Sequence, residues 1–499
     1  MKSAFSYPLL VVLLSLAGGS FAAAAGQQIA FGGFPIPTAS SAPQCITTGP
    51  DGALYFAEYT GNKIGRITTA GTITEYTVPT PKSGPIGIVT GPDAALWFTE
   101  TTVDKIGRMT TTGTFSEYAV PTSGAGLSNI TTGPDGALWF TETQGNKIGR
   151  ITTSGIVTEY TLPYPGSNPV GITMGPDSAL WFAESAGNRI GRITTTGTIT
   201  EYFLSSRGAE PFDIVLGPDG ALWFTEIAAN KIGRITTAGT ITEHAVPTSN
   251  SGPAGITVGP DGALWFAEVS GNKIGRITTA GSITEYAFPN SPSGPGSIVT
   301  GPDNELWITE NGGNLIGEAV FVTANLSVSP SMGSYQASLS FSGSGFSAGE
   351  TVYIYVGGVG SGVLASSIAD SSGSFTVSSH APLSPYGPRI FVGVGQNSGK
   401  LGAASFSVIP KLTLNPNTGA PGSTATAQGF GFGPGEAVNV YWQKPFVFLG
   451  TATANINGTF KGSAALQIIV PSAAAPGVNR VSGTGETTHA TGYGKFTVE

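Results

Sequence analysis

The sequence predicts an all-β protein in which a seven-bladed β-propeller is followed by two immunoglobulin-like β-sandwich domains. A ten-residue phrase recurs seven times at a constant interval of 42 residues, and intervals of roughly 40–45 residues are typical of a four-stranded propeller blade. The 499 residues include 74 glycines and 35 prolines, whereas charged residues make up only 10%. This composition favours short strands joined by tight turns over helices. A second, looser pattern occurs twice after the repeats end.

The first 25 residues have the pattern of a secretory signal peptide. Lys2 precedes an apolar run over residues 8–16, and four alanines follow at positions 22–25. This order of basic, apolar and small residues is typical of a cleaved export signal. We therefore expect a secreted, periplasmic or extracellular protein. No other segment approaches the ~20 apolar residues of a membrane span, and a single cysteine, Cys45, excludes an internal disulfide.

The propeller is predicted over residues 26–322. One repeat divides into four strands at residues 88–90, 95–100, 105–110 and 114–120, separated by short turns. The repeat is marked by one aromatic residue in its second strand, at Tyr55, Trp97, Trp139, Trp181, Trp223, Trp265 and Trp307.

The last repeat lacks a fourth strand, because the pattern stops at Phe321. Residues 28–37 form an unassigned strand whose end resembles other fourth strands. We predict that this strand completes blade seven and closes the ring, which removes two exposed sheet edges.

The two faces of the propeller differ in their turns. One face carries short Pro-Asp-Gly and Thr-Ala-Gly turns. The other, here called the loop face, carries the connections after Glu58, Glu100 and their equivalents and the links between blades. Because variable loops around a concave centre are the usual place for a site, function is expected on the loop face around the central channel.

The repeated phrases carry a family resemblance. Gly-Pro-Asp-Gly-x-Leu-Trp-Phe-Thr-Glu, Asn-Lys-Ile-Gly-Arg-Ile and Ile-Thr-Glu-Tyr resemble the virginiamycin B (streptogramin B) lyases over about residues 27–321. The resemblance implies a seven-bladed propeller that linearises a cyclic antibiotic by magnesium-dependent elimination. It also implies two histidines ahead of the Trp-Phe strands, one acting as general base and one contacting substrate, and two glutamates that bind magnesium.

The position implied for the general base, however, holds no histidine in any blade. Fourteen residues before each strand-ending glutamate, the column reads Gln44, Ile86, Ser128, Val170, Phe212, Ala254 and Gly296. By chain order, Gly296 stands in the base position, Ala254 in the substrate-histidine position and Gly294 in the position of the first magnesium ligand. The segment most similar to the family motif has Glu210 and Glu226 at the positions of the magnesium ligands, with Phe212 at the position of the histidine. No catalytic residue is therefore predicted, since the base position is occupied by Phe212 or Gly296.

Magnesium is the one cofactor that the resemblance implies, with Glu210, Glu226 and Glu310 as its expected ligands. Blade seven also gathers extra carboxylates, because Glu318 replaces an arginine and Glu305 is added. Residues 26–322 carry 14 basic and 25 acidic residues. A hard divalent cation near blade seven or the channel is therefore considered, with solvated carboxylates as the alternative.

Every blade ends its second strand with a glutamate, and every blade but the last carries an arginine eleven residues after its aromatic residue. Because a lone buried charge is costly, we expect glutamate–arginine pairs between blades. The glutamates are Glu58, Glu100, Glu142, Glu184, Glu226, Glu268 and Glu310, and the arginines are Arg66, Arg108, Arg150, Arg192, Arg234 and Arg276.

The C-terminal third contains two copies of a different unit, predicted at residues 323–409 and 410–499. Gly343-Ser-Gly-Phe-Ser-Ala-Gly-Glu350 in the first copy corresponds to Gly429-Phe-Gly-Phe-Gly-Pro-Gly-Glu436 in the second. Short alternating strands at this spacing favour immunoglobulin-like sandwiches. The units resemble tandem modules of exported bacterial proteins, and neither contains a catalytic constellation. A spacer or adhesive role is expected.

Two classes of function remain open. One is a non-catalytic exported binding or scaffold protein whose loop face takes a small molecule, a glycan or a protein. The other is an enzyme, either a magnesium-dependent carbon–oxygen lyase of the virginiamycin B type or another metal-dependent propeller enzyme. The net charge of -8 and the lack of any basic run argue against nucleic acid and anionic membranes as partners. A monomer is expected.

Overall fold

The structure is a computed structural model that describes residues 28–288, 293–357 and 362–499. Strands dominate this part of the chain, and its helical content is one short 3-10 turn at Gly462–Ala464. None of its helices is long or apolar enough to cross a membrane. The predicted signal peptide, residues 1–25, lies outside the described residues.

Seven antiparallel four-stranded sheets form the propeller. Blade one contains β2 (Pro43–Thr48), β3 (Leu54–Glu58), β4 (Lys63–Ile67) and β5 (Ile73–Thr77). Blades two and three contain β6 (Pro85–Thr90), β7 (Leu96–Glu100), β8 (Lys105–Met109), β9 (Phe115–Ala119), β10 (Leu127–Thr132), β11 (Leu138–Glu142), β12 (Lys147–Ile151) and β13 (Val157–Thr161). Blades four and five contain β14 (Pro169–Met174), β15 (Leu180–Glu184), β16 (Arg189–Ile193), β17 (Ile199–Phe203), β18 (Pro211–Leu216), β19 (Leu222–Glu226), β20 (Lys231–Ile235) and β21 (Ile241–Ala245). Blade six contains β22 (Pro253–Val258), β23 (Leu264–Glu268), β24 (Lys273–Ile277) and β25 (Ile283–Ala287), and blade seven contains β26 (Pro295–Thr300), β27 (Leu306–Glu310), β28 (Leu315–Val322) and β1 (Gln28–Pro35).

The blades pack through their second strands, which are buried along their whole length. In blade two, Trp97 is fully buried and stacks on Tyr118 of the fourth strand, with 5.6 Å between ring centroids. Gly107 of the third strand lies under Phe98, whose ring leaves only 2.1 Å to the place of a Cβ atom. The phenylalanine ring leaves no room for a side chain at this position. The Lys-Ile-Gly-Arg phrase of this blade therefore requires its glycine.

The predicted closure of the ring is confirmed. β1 pairs antiparallel with β28, from Gln28 opposite Val322 to Pro35 opposite Leu315. Phe34 on β1 stacks on Trp307 of the same blade at 5.6 Å. It also contacts blade one, because a Cβ on Gly71 would lie 1.9 Å from its ring. The N-terminal strand thus joins the last blade to the first.

The predicted glutamate–arginine pairs are wrong for this propeller. Arg108 instead donates to Asp93 in the short turn of its own blade, at 2.7 Å, and Asp93 also accepts the indole N–H of Trp97 at 2.9 Å. Trp97 lies opposite Arg108 in the sheet register, whereas Glu100 lies opposite Lys105. Glu100 is three residues further along the strand, about 10 Å away. The arginine and the strand-ending glutamate therefore lie at opposite ends of the blade.

Residues 323–409 and 410–499, here called the first and second C-terminal modules, each form one rolled, nearly closed sheet of eight strands, consistent with a β-sandwich. The first contains β29 (Ala324–Ser329), β30 (Met332–Gly333), β31 (Ser338–Ser344), β32 (Thr351–Val356), β33 (Val363–Ile368), β34 (Phe375–His380), β35 (Gly387–Gly395) and β36 (Leu401–Val408). The second contains β37 (Lys411–Asn415), β38 (Thr418–Gly419), β39 (Thr424–Phe430), β40 (Ala437–Gln443), β41 (Phe446–Thr453), β42 (Leu466–Ile469), β43 (Gly477–Gly485) and β44 (Thr491–Val498).

The glutamate shared by the two module patterns has a structural role. In the second module, the buried carboxylate of Glu436 accepts hydrogen bonds from the backbone N–H groups of Gly433, Thr487 and Thr488. Glu350 binds the corresponding loop of the first module through Asn397 and Ser398. One carboxylate therefore ties two loops together in each module.

The first module is fixed to the propeller rather than held apart from it as a free spacer. Ile390 and Val392 on β35 are fully buried against Val320 on β28. Arg389 is also buried, donates to the carbonyl of Gly33 at 2.6 Å, and lies 5.5 Å above the ring of Phe34. The module thus covers the strand that closes the ring.

Candidate functional site

The candidate site is the mouth of the central channel on the loop face, where the innermost strand of each blade begins. A cavity of about 290 Å³ lies there. All seven residues of the column predicted for the general base line this cavity, namely Gln44, Ile86, Ser128, Val170, Phe212, Ala254 and Gly296. The structure therefore brings together the positions that sequence reasoning selected, although they come from seven different blades.

The channel mouth is mainly apolar. Ile86, Val170 and Phe212 face it, and Ile227 and Val269 extend the apolar surface along the loops. Phe212 is 37% exposed although it lies at the start of a strand. No histidine is among the lining residues described in the structure. The mouth thus provides a contact surface for an apolar ligand, and its described lining provides no imidazole that could act on a substrate.

Asp213 is the one carboxylate among the described lining residues, and it accepts hydrogen bonds from two backbone groups. Its Oδ1 accepts the N–H of Ile214 at 2.9 Å, and its Oδ2 accepts the N–H of Ile256 in the next blade at 3.1 Å. Burial raises its pKa to about 6. Because its two oxygens hold backbone groups of neighbouring blades, Asp213 ties blade five to blade six.

Cys45 also lines the mouth, where burial raises the pKa of its thiol to about 12. The thiol is therefore neutral near pH 7, and a thiol rather than a thiolate is a weak nucleophile. Cys45 packs with Ile88 and Phe98 in a cluster of apolar residues. It serves as a small apolar side chain in this cluster.

Glu210 and Glu226 lie near Phe212 but in different surroundings. Glu210 is exposed, with a positive φ of 52°, and its carbonyl accepts the N–H of Ile227 at 3.2 Å. Glu226 is fully buried, and its charged neighbours are Lys231 and Glu243 on the outer strands of its blade. Burial raises the pKa of Glu226 to about 8. Its carboxyl group is thus influenced by strands three and four of the blade.

Glu310 belongs to blade seven, two blades away from this pair. It is almost fully buried, and burial raises its pKa to about 8. Within the described residues, one group of three possible metal ligands lies close together, and it consists of Asp303, Glu305 and Glu318. Glu210, Glu226 and Glu310 do not form such a group. Gly294, in the position of the first magnesium ligand by chain order, has no side chain to offer. These residues do not assemble a three-carboxylate site, and a magnesium role for any of them stays a prediction.

The strand-ending glutamates form a buried ring beneath the loop face. Burial raises the pKa to about 7 for Glu100, Glu142 and Glu268 and to about 8 for Glu58. Blade four differs, because an arginine replaces the usual lysine there. The buried Arg189 donates to Glu184 at 2.7 Å and lies 4.4 Å above the ring of Tyr164. The lysine-to-arginine change was visible in the sequence, but its partner was not.

Comparisons with known proteins identify the propeller's relatives. The sequence model described as the virginiamycin B lyase family matches residues 19–248 and 213–330, more than half of the chain. A solved streptogramin B lyase is 41% identical, with a TM-score of 0.57, and the match covers 59% of this chain and 98% of that chain. A virginiamycin B lyase from Staphylococcus aureus is 40% identical, with a TM-score of 0.57 and a match covering 59% of this chain and 100% of that chain. A catalytically inactive form of the Staphylococcus aureus enzyme, solved with quinupristin, matches to the same extent. No curated protein sequence matches the chain.

Proposed function

The chain belongs to the virginiamycin B lyase family, and from this premise we propose that it is a non-catalytic binding protein that takes an apolar small molecule into the channel mouth. The observation that carries the proposal is the lining of that mouth. Seven blades contribute the base column, and none of its members titrates near neutral pH. The family scaffold is therefore present without a general base in that column.

An elimination next to a carbonyl needs a positioned base, worth roughly 10²–10⁴-fold in rate, and a cation or donor that stabilises the enolate. Phe212 stands where the nearest echo of the family motif would place the base. The neighbouring Asp213 has both oxygens engaged with backbone N–H groups. Both facts support binding without turnover.

The chemistry of the mouth supports an apolar ligand with a few polar groups. Ile86, Val170 and Phe212 supply apolar contact from three different blades, and Gln44 and Ser128 supply hydrogen-bonding groups at the same level. The cavity of about 290 Å³ lies at the lower end of the range for small-molecule sites. A ligand of this kind would rest on the loop face and insert one apolar group into the mouth. Export of the protein, expected from residues 1–25, would place this site outside the cytoplasm.

Quinupristin is the first probe, because a catalytically inactive relative was solved with it. We expect the purified protein to bind it, measured by calorimetry, and to leave its ring intact with or without Mg²⁺, measured by mass spectrometry. Phe212→Ser should weaken binding about tenfold, because it removes apolar contact area from the mouth. The matched control is Phe203→Ser, since Phe203 is 65% exposed and lies on an outer strand.

Two results would overturn the proposal. Linearisation of quinupristin by the unmodified protein would establish the magnesium-dependent lyase alternative and would require a base outside the predicted column. Equal binding by the Phe212 and Phe203 variants would place the ligand away from the channel mouth. If quinupristin does not bind, a panel of apolar small molecules displacing a fluorescent hydrophobic dye gives the same comparison, and no displacement by any of them would refute the binding role.

A further inference from the structure

Blade seven breaks a charge pattern that the other six blades share. In blades one to six, an arginine on the third strand donates its Nε–H to the turn aspartate at 2.5–2.8 Å. In blade seven, Glu318 occupies the arginine position beside Asp303. The position two residues after the aspartate is alanine in the first six blades, and in blade seven it is Glu305. Two substitutions thus convert an ion pair into three carboxylates.

These three carboxylates converge. One oxygen from each of Asp303, Glu305 and Glu318 lies within 4.8 Å of the other two. Two oxygens on opposite sides of a Ca²⁺ ion are about 4.8 Å apart, because Ca²⁺–oxygen distances are about 2.4 Å. The spacing therefore fits oxygen ligands around one hard divalent cation.

Among the described residues, no basic side chain pairs with this cluster as the arginines do in the other blades. Glu305 and Glu318 are 1% and 0% exposed, and their carboxyl groups face each other. No other described residue gives either of them a hydrogen bond of ordinary geometry. Asp303 shares the indole N–H of Trp307 at 3.2 and 3.3 Å, but no arginine reaches it as in the other blades. Three carboxyl groups buried this close together must either share protons or be neutralised by a cation, because an uncompensated buried charge is costly.

Among the residues that the structure describes, the basic side chain that acts on the cluster is Arg389 of the first C-terminal module, and it is already engaged. It donates to the Oγ of Ser384 at 2.9 Å and to the carbonyls of Gly33, Pro385 and Pro388 at 2.6–3.0 Å. No ion pair joins it to Glu318 among the described residues. If all three carboxyl groups are ionised, one guanidinium leaves two negative charges uncompensated, which is the charge that a divalent cation supplies.

The cluster lies where the first module meets the propeller. Oε2 of Glu318 is 3.4 Å from the place of a Cβ on Gly32, and the side chain of Ile390 is 2.6 Å from the same point. Gly32 belongs to the strand that closes the ring, and Ile390 belongs to the module docked over it. A cation held here would stabilise ring closure and module docking together.

We propose that Asp303, Glu305 and Glu318 bind one structural divalent cation of the Ca²⁺ class, which takes the place of the arginine in blade seven and fixes the first C-terminal module to the propeller. The inference is independent of any ligand at the channel mouth. It is also separate from the magnesium role predicted for Glu210, Glu226 and Glu310, because none of these three residues belongs to the cluster.

The test uses the full mature chain. Elemental analysis after gel filtration should give about one divalent cation per chain. Dialysis against EDTA should lower the melting temperature by about 5 °C, and adding Ca²⁺ should restore it, since a bound ligand stabilises the folded state by mass action. The double variant E305Q/E318Q should lose both the metal and the response to EDTA. The control variant Glu268→Gln should keep both, because it removes a buried carboxylate elsewhere.

The outcomes separate the cation from a shared proton. A chain that carries no metal and melts at the same temperature in EDTA and in millimolar Ca²⁺ or Mg²⁺ would overturn the proposal and leave protonation as the neutralising mechanism. Stoichiometric metal in E305Q/E318Q would place the ion elsewhere and would also overturn it. If that variant does not fold, the metal content and EDTA response of the unmodified chain decide the question.

Discussion

Replacing Glu142 by glutamine should stabilise the propeller at alkaline pH, although every blade carries a glutamate at this position. Glu142 ends the second strand of blade three and is fully buried. Its two carboxylate oxygens accept no hydrogen bond of ordinary geometry. Burial and the neighbouring Glu159 raise its pKa from 4.5 to about 7, although Lys147 and the Thr122 hydroxyl offset part of the shift.

The sign of the effect follows from proton linkage. A carboxyl group whose pKa is higher in the folded state binds its proton more tightly when folded. Its favourable contribution is therefore complete below the unfolded pKa of about 4.5 and is lost as the pH rises through about 7. Each pKa unit corresponds to about 1.4 kcal/mol. After allowance for relaxation and water entry, Glu142→Gln should raise the free energy of unfolding by about 1–3 kcal/mol at pH 8 and change it little at pH 4.5.

Blade four supplies a matched position with the opposite expectation. Glu184 ends the corresponding strand, but it is paired with the buried Arg189 at 2.7 Å. Removing one partner of a buried ion pair costs about 3–5 kcal/mol. Arg189 keeps the Ser167 hydroxyl at 2.6 Å and Glu201 at 3.8 Å. We therefore expect Glu184→Gln to lower the free energy of unfolding by about 2 kcal/mol at pH 8.

Both variants can be compared with the unmodified chain by urea unfolding at pH 4.5 and pH 8. Tryptophan fluorescence reports mainly on the propeller, because six of the seven tryptophans belong to its blades. Opposite signs at pH 8, with the Glu142→Gln effect fading at pH 4.5, are the expected result. A loss of stability in both variants would refute the view that Glu142 is an unpaired buried carboxyl and would restore a paired role for it.

Three further predictions follow from closure and from the site. Deleting β1 (Gln28–Pro35) should lower the melting temperature and cause aggregation, because it exposes the edge of β28; an unchanged melting curve and a monomeric elution volume would refute closure by this strand. Phe34→Ala should cost about 3–5 kcal/mol in a denaturant titration, since Phe34 is 5% exposed and packs against two blades, and a loss below about 1 kcal/mol would contradict that packing. If Glu210 and Glu226 can bind Mg²⁺ together, Phe212→His combined with Val170→His should create weak Mg²⁺-dependent linearisation of quinupristin, detected by mass spectrometry. No product at any Mg²⁺ concentration would show that Glu210 and Glu226 cannot support the elimination.

Much of the fold could be predicted from the sequence because its signals are local and repeated. The 42-residue period, the Pro-Asp-Gly turns and the alternation within Leu-Trp-Phe-Thr-Glu define four strands per blade, and the structure shows seven such blades. The missing fourth strand after Phe321 was enough to assign β1 to blade seven. The column from Gln44 to Gly296 could also be placed at one channel mouth, since equivalent positions of a repeat meet around a closed ring.

The partners of the charged side chains were decided by the tertiary structure. Arg108 and Glu100 occur in the same phrase, but the sheet register places them at opposite ends of a blade, so the arginine pairs with Asp93. A change from lysine to arginine at residue 189 says nothing in the sequence about Tyr164, which comes from the link before the blade.

Blade seven and the first C-terminal module also show that the sequence does not reveal which side chains meet in space, here over longer distances along the chain. The sequence by itself determined that Glu305 and Glu318 are extra carboxylates in blade seven. Only the folded chain shows that they meet Asp303 within 4.8 Å and lie beneath Ile390. Strand period and turn type are properties of neighbouring residues, whereas the partner of a charge depends on which strand ends and which domain surfaces come together in space.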